Sequence, residues 1–161
     1  QAITTPSGPS LNAWNGLRSW ELWYSPGGEI PDSPILYHGL LTKHPRYQDG
    51  LYLDQHRRPR EINYIQGDTN QALTYPIPDV DAWYHIVGTY DGAEMNLYIN
   101  GERAGARDAP IPPTINSHRV AIGGGAADAN RQAPGKFSRA AVYNYALSAE
   151  EVAELYRTLN E

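Results

Sequence analysis

The chain has 161 residues, a formal net charge of −5 and no cysteine, with hydrophobic residues at 40% and charged residues at 19%. That length suits one well-buried domain, read as spanning residues 1–161, and the composition lies far from the low-hydrophobicity, high-charge signature of disorder. The acidic balance excludes electrostatic capture of nucleic acid, the lack of cysteine excludes a disulfide framework and a thiolate metal site, and no apolar stretch approaches the ~18 residues of a membrane span.

In chain order, most of the sequence reads as short strands punctuated by turns. Residues 19–24 (SWELWY) are dense in aromatics and stop at the turn chemistry of Ser25-Pro26-Gly27-Gly28. Short apolar runs follow at 35–41 and 50–55, and 61–66 alternates polar with apolar, which predicts pairing with the strand before it. The run His56-Arg57-Arg58-Pro59-Arg60 reads as a solvated turn. Residues 83–90 form the longest β-prone run, and 95–99 leads into Asn100-Gly101, the strongest hairpin signal in the chain, with the next strand starting near 102–104.

Pro110, Pro112 and Pro113 break pairing because proline has no amide donor. Strands return at 119–122 and 136–143 around a glycine-rich connection. Helix is expected only at the tail, where Ser148 and Glu151 form a capping box and Val152, Leu155, Tyr156 and Leu159 recur at helical spacing, packing on a sandwich. The fold class is therefore all-β, with a short C-terminal helix.

Two blocks carry a family resemblance. Residues 83–92 (WYHIVGTYDG) with 95–101 (MNLYING), and the tail formed by 121–124, 135–137 and 142–152, fall in the order of bacterial laminin-G-like domains of the concanavalin-A-like lectin/glucanase group. Residues 19–26 resemble the early strand of that family, with Trp23 at its tryptophan position. The resemblance implies a two-sheet antiparallel jelly roll, in modules usually secreted or extracellular and often binding carbohydrate. Two departures stand out: an initial strand with an Asp-Gly pair is absent, and Ser138 stands where members often carry an aspartate that helps hold calcium. Since Ca²⁺ favours several carboxylates, no metal is expected at Ser138; a cage rebuilt from Asp32, Asp68 or Asp128 is the alternative. Gln1 opens the sequence with no initiator methionine and no leader-like segment, consistent with a processed or excised chain.

Strand alternation, applied to the core face that the family resemblance implies, sorts the candidate binding residues. If Trp20, Leu22 and Tyr24 face the core, Glu21 and Trp23 face away, joined by His85, Thr89 and Tyr98. Glu21, Trp23, His85 and Tyr98 together have the composition of a sugar site on a concave sheet: flat rings for the C–H face and polar tips for hydroxyls. The same side chains would equally serve to pack under other elements. A second surface is the loop rim, where Tyr47, Tyr52, His56 and Arg57 gather with Trp14 and Asp68.

No catalytic residues are assigned. A retaining glycosidase needs two carboxylates on one face, and Glu21, Asp54 and Glu61 each lack an acidic partner on their own strand, although neighbouring strands can still bring such groups together. The expected function is a non-catalytic, lectin-like module binding an oligo- or polysaccharide. The alternatives are a structural or adhesive sandwich docking a protein at a sheet edge, and a glycosidase.

Overall fold

The computed structural model describes residues 3–4, 16–27, 37–43, 49–54, 56, 59–112, 117–124 and 132–159. Two antiparallel sheets stack face to face. One has the strand order β1 (Ile3–Thr4), β10 (Ala121–Ile122), β3 (Tyr37–Thr42), β4 (Asp49–Asp54), β5 (Arg60–Gln66), β6 (Asp68–Ile77). The other has the order β11 (Lys136–Tyr143), β2 (Arg18–Ser25), β7 (Tyr84–Tyr90), β8 (Glu94–Ile99), β9 (Glu102–Asp108). Among the described residues one helix follows, α1 (Ala149–Leu159). No helix is long and apolar enough to cross a membrane.

The core lies between the sheets. Trp20, Leu22 and Tyr24 of β2 and Ile86 and Tyr90 of β7 meet Leu51, Leu53, Ile62 and Tyr64 from the opposite sheet, all essentially inaccessible. At roughly 1.5–3 kcal/mol for each large apolar side chain removed from water, this layer is the main source of stability. Gly88 is small because the Tyr64 ring lies over it: a Cβ there would stand 2.8 Å from that ring. At one end of the core, buried Asp49 accepts the Gly67 amide at 3.2 Å and faces the Arg18 guanidinium at 3.7 Å. Burial pushes the Asp49 carboxyl up to about 6, against the pull of Arg18 and the Gly67 hydrogen bond.

The predicted pairing of β5 with β4 is present, and β9 follows the Asn100-Gly101 turn as expected. β6 is the strand missing from the sequence-based reading. Its Asp68-Thr69-Asn70-Gln71 start is polar and it contains Pro76, features that argue against a central strand. β6 is an edge strand, where every amide on the outer side has no ladder bond to lose and proline is tolerated. The strand expected at 119–122 shortens to Ala121–Ile122, and that expected at 83–90 begins at Tyr84.

Candidate functional site

The candidate quartet shares one face of the five-stranded sheet. Trp23 pairs with His85 across β2 and β7, Glu21 with Val87, and Val87 in turn with Tyr98 of β8. His85 Nε2 donates to Glu21 Oε1 at 3.1 Å, and the Tyr143 hydroxyl donates to Glu21 Oε2. Burial, the largest single influence, would raise the Glu21 carboxyl, but these two hydrogen bonds together with nearby positive charge, Arg139 included, hold the group below its ordinary value. The same contacts, with burial as the larger cause, raise the Tyr143 hydroxyl.

This face is roofed by α1. Ser148 and Glu151 close the capping box, with the Ser148 amide donating to Glu151 Oε2 at 2.7 Å and the Glu151 amide to Ser148 Oγ at 3.2 Å. Ser19 pins the approach to the helix by donating to the Tyr145 carbonyl at 2.9 Å and accepting the Leu147 amide at 2.8 Å. An 11-residue helix is marginal alone and needs an apolar floor. Val152 and Leu147 pack on Val87 and Tyr98, while the Tyr156 ring stacks on Trp23 at 5.8 Å and on His85 at 5.9 Å. His85 and Tyr98 are consequently buried, at 0% and 5% exposure, and a sugar cannot reach them while the helix is docked. Their alternation was legible; the roof over them was not.

Trp23 and Glu21 are also largely buried, at 9% and 3% exposure, but their edges line a groove that runs between α1 and β11. At one end, a pocket of about 130 Å³ is lined by Trp23, Trp83, Ser138, Arg139 and Leu159. Arg139 and Leu159 continue into a cleft of about 360 Å³ that Glu21 and Tyr143 also line. Tyr143 and Leu155 continue into a third space of about 500 Å³ beside Tyr145, Glu150, Glu151 and Glu154. The groove thus carries indoles at one end and two tyrosines at the other. Trp83 is 42% exposed, and the buried Trp23 Nε1 has no hydrogen-bond partner among the described residues. The sequence signal for Trp83 was its shared parity with His85; Arg139, Tyr143 and Tyr145 join the site only because α1 docks beside β11.

Ser138 lies in the indole pocket, whose described lining contains a guanidinium and no carboxylate. That surrounding does not fit Ca²⁺. Among the described residues no group of three or more His, Asp or Glu side chains is placed to hold a metal. Asp32 and Asp128, like the rim candidates Trp14, Tyr47 and Arg57, lie outside the described residues.

Of the other rim candidates, Tyr52 sits on the outer side of β4 and is buried, its ring 6.4 Å from Tyr37, while His56 is exposed and its amide donates to Asp54 Oδ1 at 2.9 Å. On that outer side Tyr52 is opposite Asn63, and Asp54 is directly opposite Glu61. Neighbouring strands therefore supply the same-face carboxylate pair that no single strand contained. Asp68 starts β6.

A two-sheet antiparallel jelly roll with one helix on an outer face is the lectin-like sandwich class. Residues 1–153 match the Laminin_G_3 family model, and the chain belongs to the concanavalin A-like lectin/glucanases superfamily. No curated protein sequence matches the chain. Among solved structures, it is similar to a candidate carbohydrate-binding protein of Bacteroides ovatus, at 16% identity and a TM-score of 0.70 over 95% of this chain and 44% of that one. The binding domain of Paraclostridial Mosquitocidal Protein 1 is similar at 16% identity and a TM-score of 0.69, over 98% and 41% of the two chains. Domain 4 of AbnA, a GH43 extracellular arabinanase from Geobacillus stearothermophilus solved with arabinotriose, is similar at 17% identity and 0.65, over 96% and 72%. The chain thus spans less than half of the first two relatives, and at these identities the likeness is one of fold.

Proposed function

We propose that the chain is a non-catalytic carbohydrate-binding module of a secreted or surface protein, and that its glycan lies in the groove between α1 and β11. The observation that carries this reading is the indole pocket: an exposed Trp83 ring beside the exposed polar side chains of Ser138 and Arg139, with the edge of Trp23 also in the lining. A sugar presents a C–H face for the Trp83 ring and hydroxyl oxygens for the polar pair. The fold shared with arabinotriose-bound domain 4 of AbnA supports it. Groove walls on a strand and a docked helix are held in place before binding, so little ordering entropy opposes the ligand.

The alternative of a protein partner at a sheet edge has less in its favour. Of the edge strands, β9 of the five-stranded sheet carries Glu102, Arg103, Arg107 and Asp108, and charges on an edge discourage strand addition. A hydrolase has one observation on its side, the opposed Asp54 and Glu61, whose Cβ atoms in such a pair lie about 5 Å apart. Asp54 is buried and already accepts the His56 amide, which is turn chemistry and explains the aspartate without catalysis.

The test is a glycan array followed by calorimetry on Trp83→Ala. Binding lost by about 1–3 kcal/mol in a variant with an unchanged melting midpoint supports the groove. Array-negative protein that forms a stable complex with another chain supports the docking alternative, and reducing-sugar release abolished by Glu61→Gln supports the hydrolase.

A further inference from the structure

We infer that the indole end of the groove selects a sugar ring bearing an acidic group, either a carboxylate or a sulfate. This rests on the glycan-binding reading of the same groove and adds the chemical class of the ring.

The first argument is backbone strain at a cation. Arg139 is a non-glycine residue at φ +47°, sitting where the β11–β2 register shifts between Ser138 and Ala140. A side chain in the left-handed region carries a cost, and a bulge of this kind re-aims the residue it inserts. Arg139 is exposed, lines both the indole pocket and the adjoining cleft, and forms no hydrogen bond or salt bridge with a described residue. Its charge does reach the buried Glu21 carboxylate, which His85 and Tyr143 already satisfy. The guanidinium fork remains available for a planar anion.

A second cation points the same way. Lys136 is exposed, shares the outer face with Ser138 two residues on, and stands opposite Ser25 in the row next to the Ser138–Trp23 pair. The Arg139 guanidinium, with Lys136 nearby on the same strand, thus faces a pocket where one ring fits beside Trp83.

The far end of the groove has the opposite sign. Glu150, Glu151 and Glu154 line the space beside Tyr143 and Tyr145, so an acidic ring is repelled there and the ligand is oriented with its charged ring against Trp83.

The experiment compares lactose, 3′-sulfated lactose and sialyllactose, together with trigalacturonate and its methyl ester, on wild type, Arg139→Gln, Arg139→Gly and Trp83→Ala. The expected result is at least tenfold tighter binding of an acidic member than of its neutral counterpart, weakening as salt rises. Which acidic member wins tells carboxylate from sulfate. Arg139→Gly relieves the positive φ and raises the melting midpoint, yet loses the acidic preference as Arg139→Gln does; a residue serving only the fold would not separate these two readouts. Equal binding of neutral and acidic members, unaffected by either Arg139 variant, overturns the acidic class and leaves the glycan reading standing. Absence of binding to these probes and to a full array by folded protein overturns both.

Discussion

Gly101→Ala is expected to unseat the helix that makes the groove. Asn100 and Gly101 have φ of +53° and +82°, the two positive values of a type I′ hairpin turn, and alanine at such an angle costs about 1 kcal/mol. A Cβ at Gly101 would also stand 3.0 Å from Cδ1 and 3.1 Å from Cβ of Tyr156. The Tyr156 ring is stacked on Trp23 and His85 and its Cβ belongs to the helix, so relief requires α1 to move. Overpacking of this kind adds about 1–3 kcal/mol, for a total of about 2–4 kcal/mol. In a domain of this size that lowers the melting midpoint by roughly 5–15 °C. Urea unfolding followed by tryptophan fluorescence reads the loss, and a double-mutant cycle with Tyr156→Ala should show coupling of about 1 kcal/mol or more. An unchanged midpoint, or strict additivity with Tyr156→Ala, would refute the claim that the hairpin turn and the helix are packed as one unit.

Two carboxylates make opposite pH predictions. Asp49, raised from 3.8 to about 6 by burial, favours its protonated form in the fold, so its stability contribution is full below about pH 4 and is lost as pH rises through 6, an effect on the order of 3 kcal/mol. Asp49→Asn should abolish that decline in urea stability between pH 4 and 6, and a decline that persists in the variant contradicts the assignment. Glu21 is held below its ordinary value, so its contribution is present above pH 4.5 and lost on acidification; Glu21→Gln should flatten the acid limb measured by the same titration. Excess chelator is expected to leave the melting midpoint unchanged, because the lining of Ser138 offers no carboxylate, and a fall reversed by added calcium would show that Asp32, Asp68 or Asp128 has built a cage elsewhere.

The sequence displayed the sandwich more fully than the site. The core face implied by the family resemblance, combined with alternation along β2, placed Trp20, Leu22 and Tyr24 inward and Glu21 and Trp23 outward, as observed, because a strand's two-residue period sends the intervening residues to the other side. The Ser148–Glu151 capping box and the Asn100-Gly101 turn are local devices and were equally legible. β6 was not, because its polar start and Pro76 are tolerated only by an edge position that local sequence does not announce. The same limit governs the site. Alternation states which way a side chain points but not what lies over it, so His85 and Tyr98 read as ligand contacts although α1 covers them. The groove itself is a product of helix docking, joining residues of β11 to residues of α1 that no spacing rule connects.

Occupation of the indole end of the α1–β11 groove by a glycan is read from the indole N–H resonances in a ¹⁵N-correlated spectrum during titration with sialyllactose, trigalacturonate or the strongest array glycan. The Trp83 and Trp23 signals are expected to shift at saturation, because both rings line the occupied pocket, while the core Trp20 signal stays in place. Saturable binding that leaves Trp83 and Trp23 unmoved, with shifts instead around Tyr52, Asp54 and Asn63, would contradict this placement and move the site to the outer face of the six-stranded sheet.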